Sequence, residues 1–96
     1  MKWQVRTHPR AEADVAEARD WYDQQRPGLG REFLQGVRQA LMELEQHPQR
    51  HAVYYRGLRR LLTHRFPYKL FYTVQDDRVE VLRVLHSRRD HRRLLR

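Results

Sequence analysis

The chain has 96 residues, no cysteine and a formal net charge of +8 at pH 7. It therefore has room for one domain, excludes disulfides and cysteine-ligated metal, and fits a reducing cytoplasm. No apolar run approaches the roughly 20 residues of a membrane span, and Met1-Lys2-Trp3-Gln4 does not open a signal peptide, so a cytoplasmic protein without a membrane partner is expected.

Charge is unevenly placed. Through His47, seven Lys/Arg stand against eight Asp/Glu; from Pro48 onward, thirteen stand against four. The C-terminal half carries all the excess, which points to a polyanion or an acidic protein partner rather than to a merely solvated surface.

In chain order, Lys2 to Thr7 alternates Trp3 and Val5 with polar residues and predicts a strand. Thr7 is the expected N-cap of a first helix with Pro9 in its first turn, and Ala11, Val15, Ala18 and Tyr22 recur at helical spacing with Trp21 beside the stripe. Arg26-Pro27-Gly28-Leu29-Gly30 stops that helix and turns the chain, so a second helix runs back antiparallel, with Phe33, Val37, Ala40, Leu41 and Leu44 on one side and His47-Pro48 at its end. These stripes read first as core. Val53 to Arg56 is a short edge strand closed by Gly57. Three strands then form a meander: Arg59 to Arg65, Tyr68 to Gln75 and Val79 to His86, joined by Phe66-Pro67 and Asp76-Asp77-Arg78. In the middle strand Tyr68, Leu70, Tyr72 and Val74 make an apolar face against Lys69, Phe71, Thr73 and Gln75. The residues after His86 form a basic tail, 87–96, read as frayed or as a short helix on the sheet. The order predicts an α+β fold in one domain, 1–96: an N-terminal strand, then a helical hairpin packed on one face of a largely antiparallel sheet.

The chemistry is narrow. Six scattered His show neither zinc-finger nor zincin spacing, and no phosphate-binding glycine loop or nucleophile elbow is present, so no metal and no cofactor is expected. What remains is a basic cluster, Arg59, Arg60, His64, Arg65, Lys69, Arg83, His86, Arg88 and Arg89, with Tyr68, Phe71 and Tyr72 interleaved. Arg forks suit phosphate or carboxylate, and His86, at a strand end beside Arg88 and Arg89, is the acid/base candidate because imidazole titrates near neutrality.

An ordered set of short motifs carries a resemblance. Trp21-Tyr22, Arg26-Pro27-Gly28-Leu29-Gly30, Phe33-Leu34, Gly57-Leu58-Arg59-Arg60, Arg65-Phe66-Pro67-Tyr68, and His86-Ser87-Arg88-Arg89-Asp90 together resemble the RelE/ParE superfamily of toxins from type II toxin–antitoxin modules. The pattern is most similar to the ParE and plasmid-stabilisation branch, and nearly the whole chain takes part.

The resemblance implies the helical hairpin on a curved antiparallel sheet. It also implies an acidic cognate antitoxin in a hetero-oligomer, and one of two targets: DNA gyrase for ParE-like members, or mRNA on the ribosome for RelE-like ones. Arg60, Arg65, Lys69, Arg83, His86, Arg88 and Arg89 become the expected target-binding residues. Trp21, Tyr22, Leu29, Phe33, Tyr55 and Arg59 become the expected antitoxin contacts. A ribonuclease reading would use Arg60, Lys69, His86 and Arg89. Against it, Leu62 replaces a second basic residue and Leu95 stands where such enzymes often carry a tail Tyr, unless His86 or His91 substitutes. The ParE-like reading, a binding protein rather than an enzyme, is therefore preferred, with a toxin reduced to an antitoxin-binding module as the remaining alternative.

Overall fold

The computed structural model describes residues 2–89 and 91–95. Met1, Asp90 and Arg96 lie outside the described residues, as do the side chains of His91 and Arg92, so the part of the tail motif at Asp90 and the substitute role of His91 fall there too. Strand β1 (Gln4–Thr7) leads into helix α1 (Pro9–Gln25) and helix α2 (Leu29–Gln46). A 3₁₀ turn (Pro48–Arg50) follows. Strands β2 (Val53–Tyr55), β3 (Leu58–Leu62), β4 (Tyr68–Gln75) and β5 (Arg78–His86) come next, and a single helical turn, α3 (His91–Leu94), closes the chain. The sheet runs β1-β5-β4-β3-β2; β1 is parallel to β5 and the other pairs are antiparallel. This is the expected α+β architecture, with helices packed on one face of a mostly antiparallel open sheet.

The boundaries differ from the sequence reading where tertiary contacts intervene. Thr7 is not the cap of α1: it stays in the sheet opposite Val81, and His8 is the N-cap. The His8 backbone N–H donates to the Val81 carbonyl at 2.9 Å, and its Nε2 lies 2.7 Å from Glu80 Oε1, so the sheet holds this residue in place. Strand β3 ends at Leu62, three residues early. The Thr63 hydroxyl donates to the Phe66 and Tyr68 carbonyls, and Arg65 takes φ +67, which folds 63–67 into a tight loop. Strand β2 stops at Tyr55 because Arg56 (φ +50) and Gly57 (φ +77) form the two-residue turn with both φ positive that matches hairpin twist.

The hairpin depends on one close approach. A Cβ on Gly30 would lie 2.6 Å from the Arg19 carbonyl oxygen and 2.7 Å from Asp23 Oδ1, while the Gly30 N–H donates to that same Oδ1 at 2.8 Å. From Gly30 onward, Phe33, Val37, Ala40 and Leu44 are buried at alternating spacings of three and four, the stripe that faces the sheet. Ala11 and Ala18 are the buried positions of α1, small enough to bring the two helices near the strands.

One core cluster joins Ala11, Ala40 and Leu44 to Leu61, Leu70, Tyr72, Val79, Val81 and Val84; a second joins Ala18, Phe33, Val37 and Phe66. A bulge in β5 organises the first. Phe71 pairs with Arg83 but Tyr72 pairs with Val81, leaving Leu82 as the extra residue. Strict alternation after Val79 and Val81 would turn residue 83 to the helices; the bulge turns Val84 there instead. On the opposite face the expected polar surface includes the fully buried Phe71, whose ring lies 5.9 Å from that of Tyr54.

Where β1 ends, the edge of β5 is taken over by α1 through Asp14. Its Oδ2 accepts from Arg83 Nε (2.7 Å) and from the Val84 N–H (3.0 Å), and its Oδ1 accepts from Arg83 Nη2 (3.0 Å). The carboxylate raises the Arg83 pKa further. Both side chains are close to fully buried.

Three outcomes are expected. Asp14→Ala leaves a buried guanidinium and strips the acceptor from an edge N–H, so chemical denaturation should show a loss of about 3 kcal/mol; the Asp14→Ala/Arg83→Met pair should recover part of it. Gly30→Ala should cost about 1–3 kcal/mol by overpacking, read as a lowered Tm with unchanged far-ultraviolet circular dichroism at room temperature. Tyr72, whose hydroxyl donates to the Pro48 carbonyl at 2.6 Å, has its pKa raised by burial to about 12. Folding therefore holds it neutral, its stabilisation is complete below the ordinary tyrosine pKa of about 10 and is lost as pH rises through about 12. In tyrosinate absorbance the last group to titrate should be the one absent in Tyr72→Phe.

Candidate functional site

The cations expected to converge are divided by the sheet. Arg60 pairs with Phe71, and Leu62 with Lys69, so these four side chains share the face away from the helices. His86 pairs with Tyr68, which packs among Tyr22, Phe33 and Phe66 on the helix side. Arg60 and Lys69 thus stand on one face, and His86 on the other.

Several expected site residues are already engaged within the fold. Arg83 is not an open cation: it is paired with Asp14 and donates through Nη1 to the Leu94 carbonyl at 3.3 Å, tying α3 to β5. Arg65 pairs with Glu32, whose carboxyl is held below its usual pKa chiefly by that hydrogen bond and then by the one from Arg26. Arg59 donates to the carbonyls of Gln49 and His51, fixing the connector before β2. Phe33 is buried core rather than a surface contact, because the α2 stripe turns it between Phe66 and Tyr68.

On the helix side, α1 and the end of β5 bound a groove of about 450 Å³, lined by Asp14, Glu17, Ala18, Trp21, Tyr22, Tyr68, Val84, Leu85, His86 and Arg89. Trp21 is 54% exposed and sets its ring edge-on to Tyr22, 5.1 Å between centroids. Burial raises the pKa of both Tyr22 and Tyr68, so both hydroxyls stay protonated at neutral pH. His86 meets the Tyr68 ring at 5.3 Å, and its Nδ1 accepts the Arg88 backbone N–H at 3.1 Å. In the neutral ring that bond places the proton on Nε2 and engages the nitrogen that would act as a base.

The structure therefore gathers Trp21, Tyr22, His86 and Arg89 into one groove. Leu29 sits half-buried at the hairpin turn against the second core cluster, and Tyr55 lies at the opposite edge of the sheet, beneath the Arg56 guanidinium. Sequence reasoning missed Asp14, Glu17 and Tyr68 as groove residues. A signal existed for two of them: Asp14, Ala18 and Tyr22, and likewise Glu17 and Trp21, are spaced by four and share a helix face. It also missed Tyr54, over whose ring the Arg60 guanidinium lies at 3.8 Å. Among the described residues no group of His, Asp or Glu could hold a metal ion, and no helix is long and apolar enough to cross a membrane.

With this geometry in place, comparison with known proteins identifies the fold and the family. A solved structure titled "Chromosomal ParDE TA system from P. aeruginosa" superposes with a TM-score of 0.78 at 20% identity, covering 88% of this chain and 95% of that one, and shares its fold. No curated protein matches the sequence significantly. The family described as "ParE toxin of type II toxin-antitoxin system, parDE" matches residues 5–91. That match spans β1 to the start of α3, and the chain belongs to the ParE toxin family of type II toxin–antitoxin systems.

Proposed function

We propose that this protein arrests growth by binding DNA gyrase as a non-catalytic toxin and that an acidic cognate antitoxin silences it in a hetero-oligomer. The observation that carries the reading is the division of the cations. Metal-independent RNA cleavage needs a base, an acid and cations around one phosphate. Here Arg60 and Lys69 share one face of the sheet, His86 lies on the other, and its Nδ1 is engaged by the Arg88 amide. A surface built to bind does not need that convergence.

The end of β5, with His86, Arg88 and Arg89, is the gyrase-facing element in this reading. The Trp21–Tyr22–Tyr68 groove is the seat for an apolar side chain of the antitoxin, with Arg89 at its rim for an acidic neighbour. Burying an aromatic anchor together with charge makes the complex tolerant of moderate salt, unlike a purely electrostatic one.

Two measurements test this. Purified protein at micromolar concentration should inhibit gyrase supercoiling and stabilise cleaved plasmid, while mRNA in a coupled translation reaction stays intact. Codon-positioned cuts with unaffected gyrase would instead make it a ribonuclease, and inactivity in both with retained antitoxin binding would leave only a binding module. For the groove, Trp21→Ala should weaken antitoxin binding by about 2 kcal/mol, roughly thirtyfold in Kd by calorimetry, with little change in Tm because the ring is half exposed.

A further inference from the structure

Arg83 has a third bond besides its pairing with Asp14. A guanidinium carries five N–H donors in a rigid planar fork. Here Nε and Nη2 both meet the Asp14 carboxylate, at 2.7 and 3.0 Å, which fixes the plane of the fork and aims Nη1 at the Leu94 carbonyl, 3.3 Å away. Leu94 is the last residue of α3, so its carbonyl is one of those a helix leaves without an internal donor. A lysine ammonium in this place would keep a charge opposite Asp14, but as a point charge on a flexible stem it would lose the fixed direction toward the tail.

The segment that this bond closes carries the exposed cations Arg88 and Arg89. Its near end is fixed locally. The Ser87 N–H donates to the Pro67 carbonyl at 2.7 Å, the Arg88 N–H to His86 Nδ1 at 3.1 Å, and the Arg89 N–H to the His86 carbonyl at 3.1 Å. Its far end, α3, is four residues long. A single helical turn does not sustain itself in water, because nucleation fixes several residues for one hydrogen bond. A contact from outside must hold it, and Arg83 supplies one to its last carbonyl. Residues 86–94 therefore form a loop tied to β5 at both ends.

We propose that Arg83 is the positioning residue of the gyrase-facing element: it holds the C-terminal turn back against β5 and so presents Arg88 and Arg89 on a closed loop instead of a free tail. The inference rests on the reading that the end of β5 meets gyrase. Arg83 itself touches no partner in this account; close to fully buried beside Asp14, it acts through the tail. Restricting the loop before the encounter removes part of the entropy lost on binding, worth about two- to tenfold in affinity for each long side chain ordered in advance.

The test pairs a spectrum with an inhibition curve. The chain has no cysteine, so Arg93→Cys gives a single site for a nitroxide label at an exposed position of α3. The spin-label spectrum of the full chain reads whether the turn is held, and inhibition of gyrase supercoiling by the unlabelled chain reads whether holding it matters. Arg83→Lys should sharpen the label's lines and raise the concentration for half inhibition by about three- to tenfold. Asp14→Ala/Arg83→Met, which removes the bond to Leu94 without burying a lone charge, should move both readouts the same way if Arg83→Lys fails to fold. Val37→Ala, a core change in α2, should lower Tm and move neither readout. Unchanged spectra in both Arg83 variants, a mobile turn with full inhibition, or an equal effect of Val37→Ala would each overturn the proposal. A wild-type chain without effect on gyrase would overturn the gyrase reading alone, since the label spectra still decide whether Arg83 holds the turn.

Discussion

The Asp14 carboxylate is the point on which the arrangement of helix and sheet depends. β1 covers only the first half of the β5 edge, and beyond Val81 that edge would present unpaired backbone N–H groups. Asp14 takes the Val84 N–H and the Arg83 fork together, so one side chain both ends the exposed edge and fixes α1 along it. Arg83 then reaches the Leu94 carbonyl, which ties the C-terminal turn to the same anchor. A buried pair of this kind adds little net energy against an apolar substitute, but it is costly to break, and its directional bonds choose one position for the helix.

The β5 bulge sets what the two faces of the sheet offer. By inserting Leu82 it keeps Val79, Val81 and Val84 in the core and leaves Arg83 at the edge, within reach of Asp14. The same pleat separates His86 from Lys69, adjacent in space yet on opposite faces. Two surfaces follow from one strand pair. The aromatic groove beside α1 combines apolar rings with a few charges at its rim, the composition of a protein-binding anchor site. The outer face carries Lys69 and Arg60, the latter with its guanidinium over the Tyr54 ring.

Much of this was legible in the residues. Stripes at spacings of three and four in α2, and alternation in β4, announced the elements because burial of one face imposes those periods on any amphipathic segment. The Arg26-Pro27-Gly28 turn was equally legible, since only such residues end one helix and begin another so abruptly. Gly30, by contrast, belongs to α2, and its need is visible only when α1 lies against it. The site was less legible than the fold. Trp21-Tyr22 could be singled out as a motif and Tyr68 as an aromatic interleaved with the basic cluster, yet that Tyr68, 46 positions beyond Tyr22, completes their groove shows only in the fold.

Sequence alone determined the α+β order, the helical hairpin, the basic excess of the second half and the family motifs, because each rests on local propensity, period or composition. Tertiary structure decided which charges are available. Arg65 and Arg83 read as open cations until Glu32 and Asp14, distant in the chain, were brought beside them. Phe33 read as a contact until the sheet buried it. Arg60, Lys69 and His86 read as one cluster until strand register placed them on two faces. Pairing, burial and facing are properties of neighbours in space, and a linear pattern carries them only where those neighbours are also near in sequence.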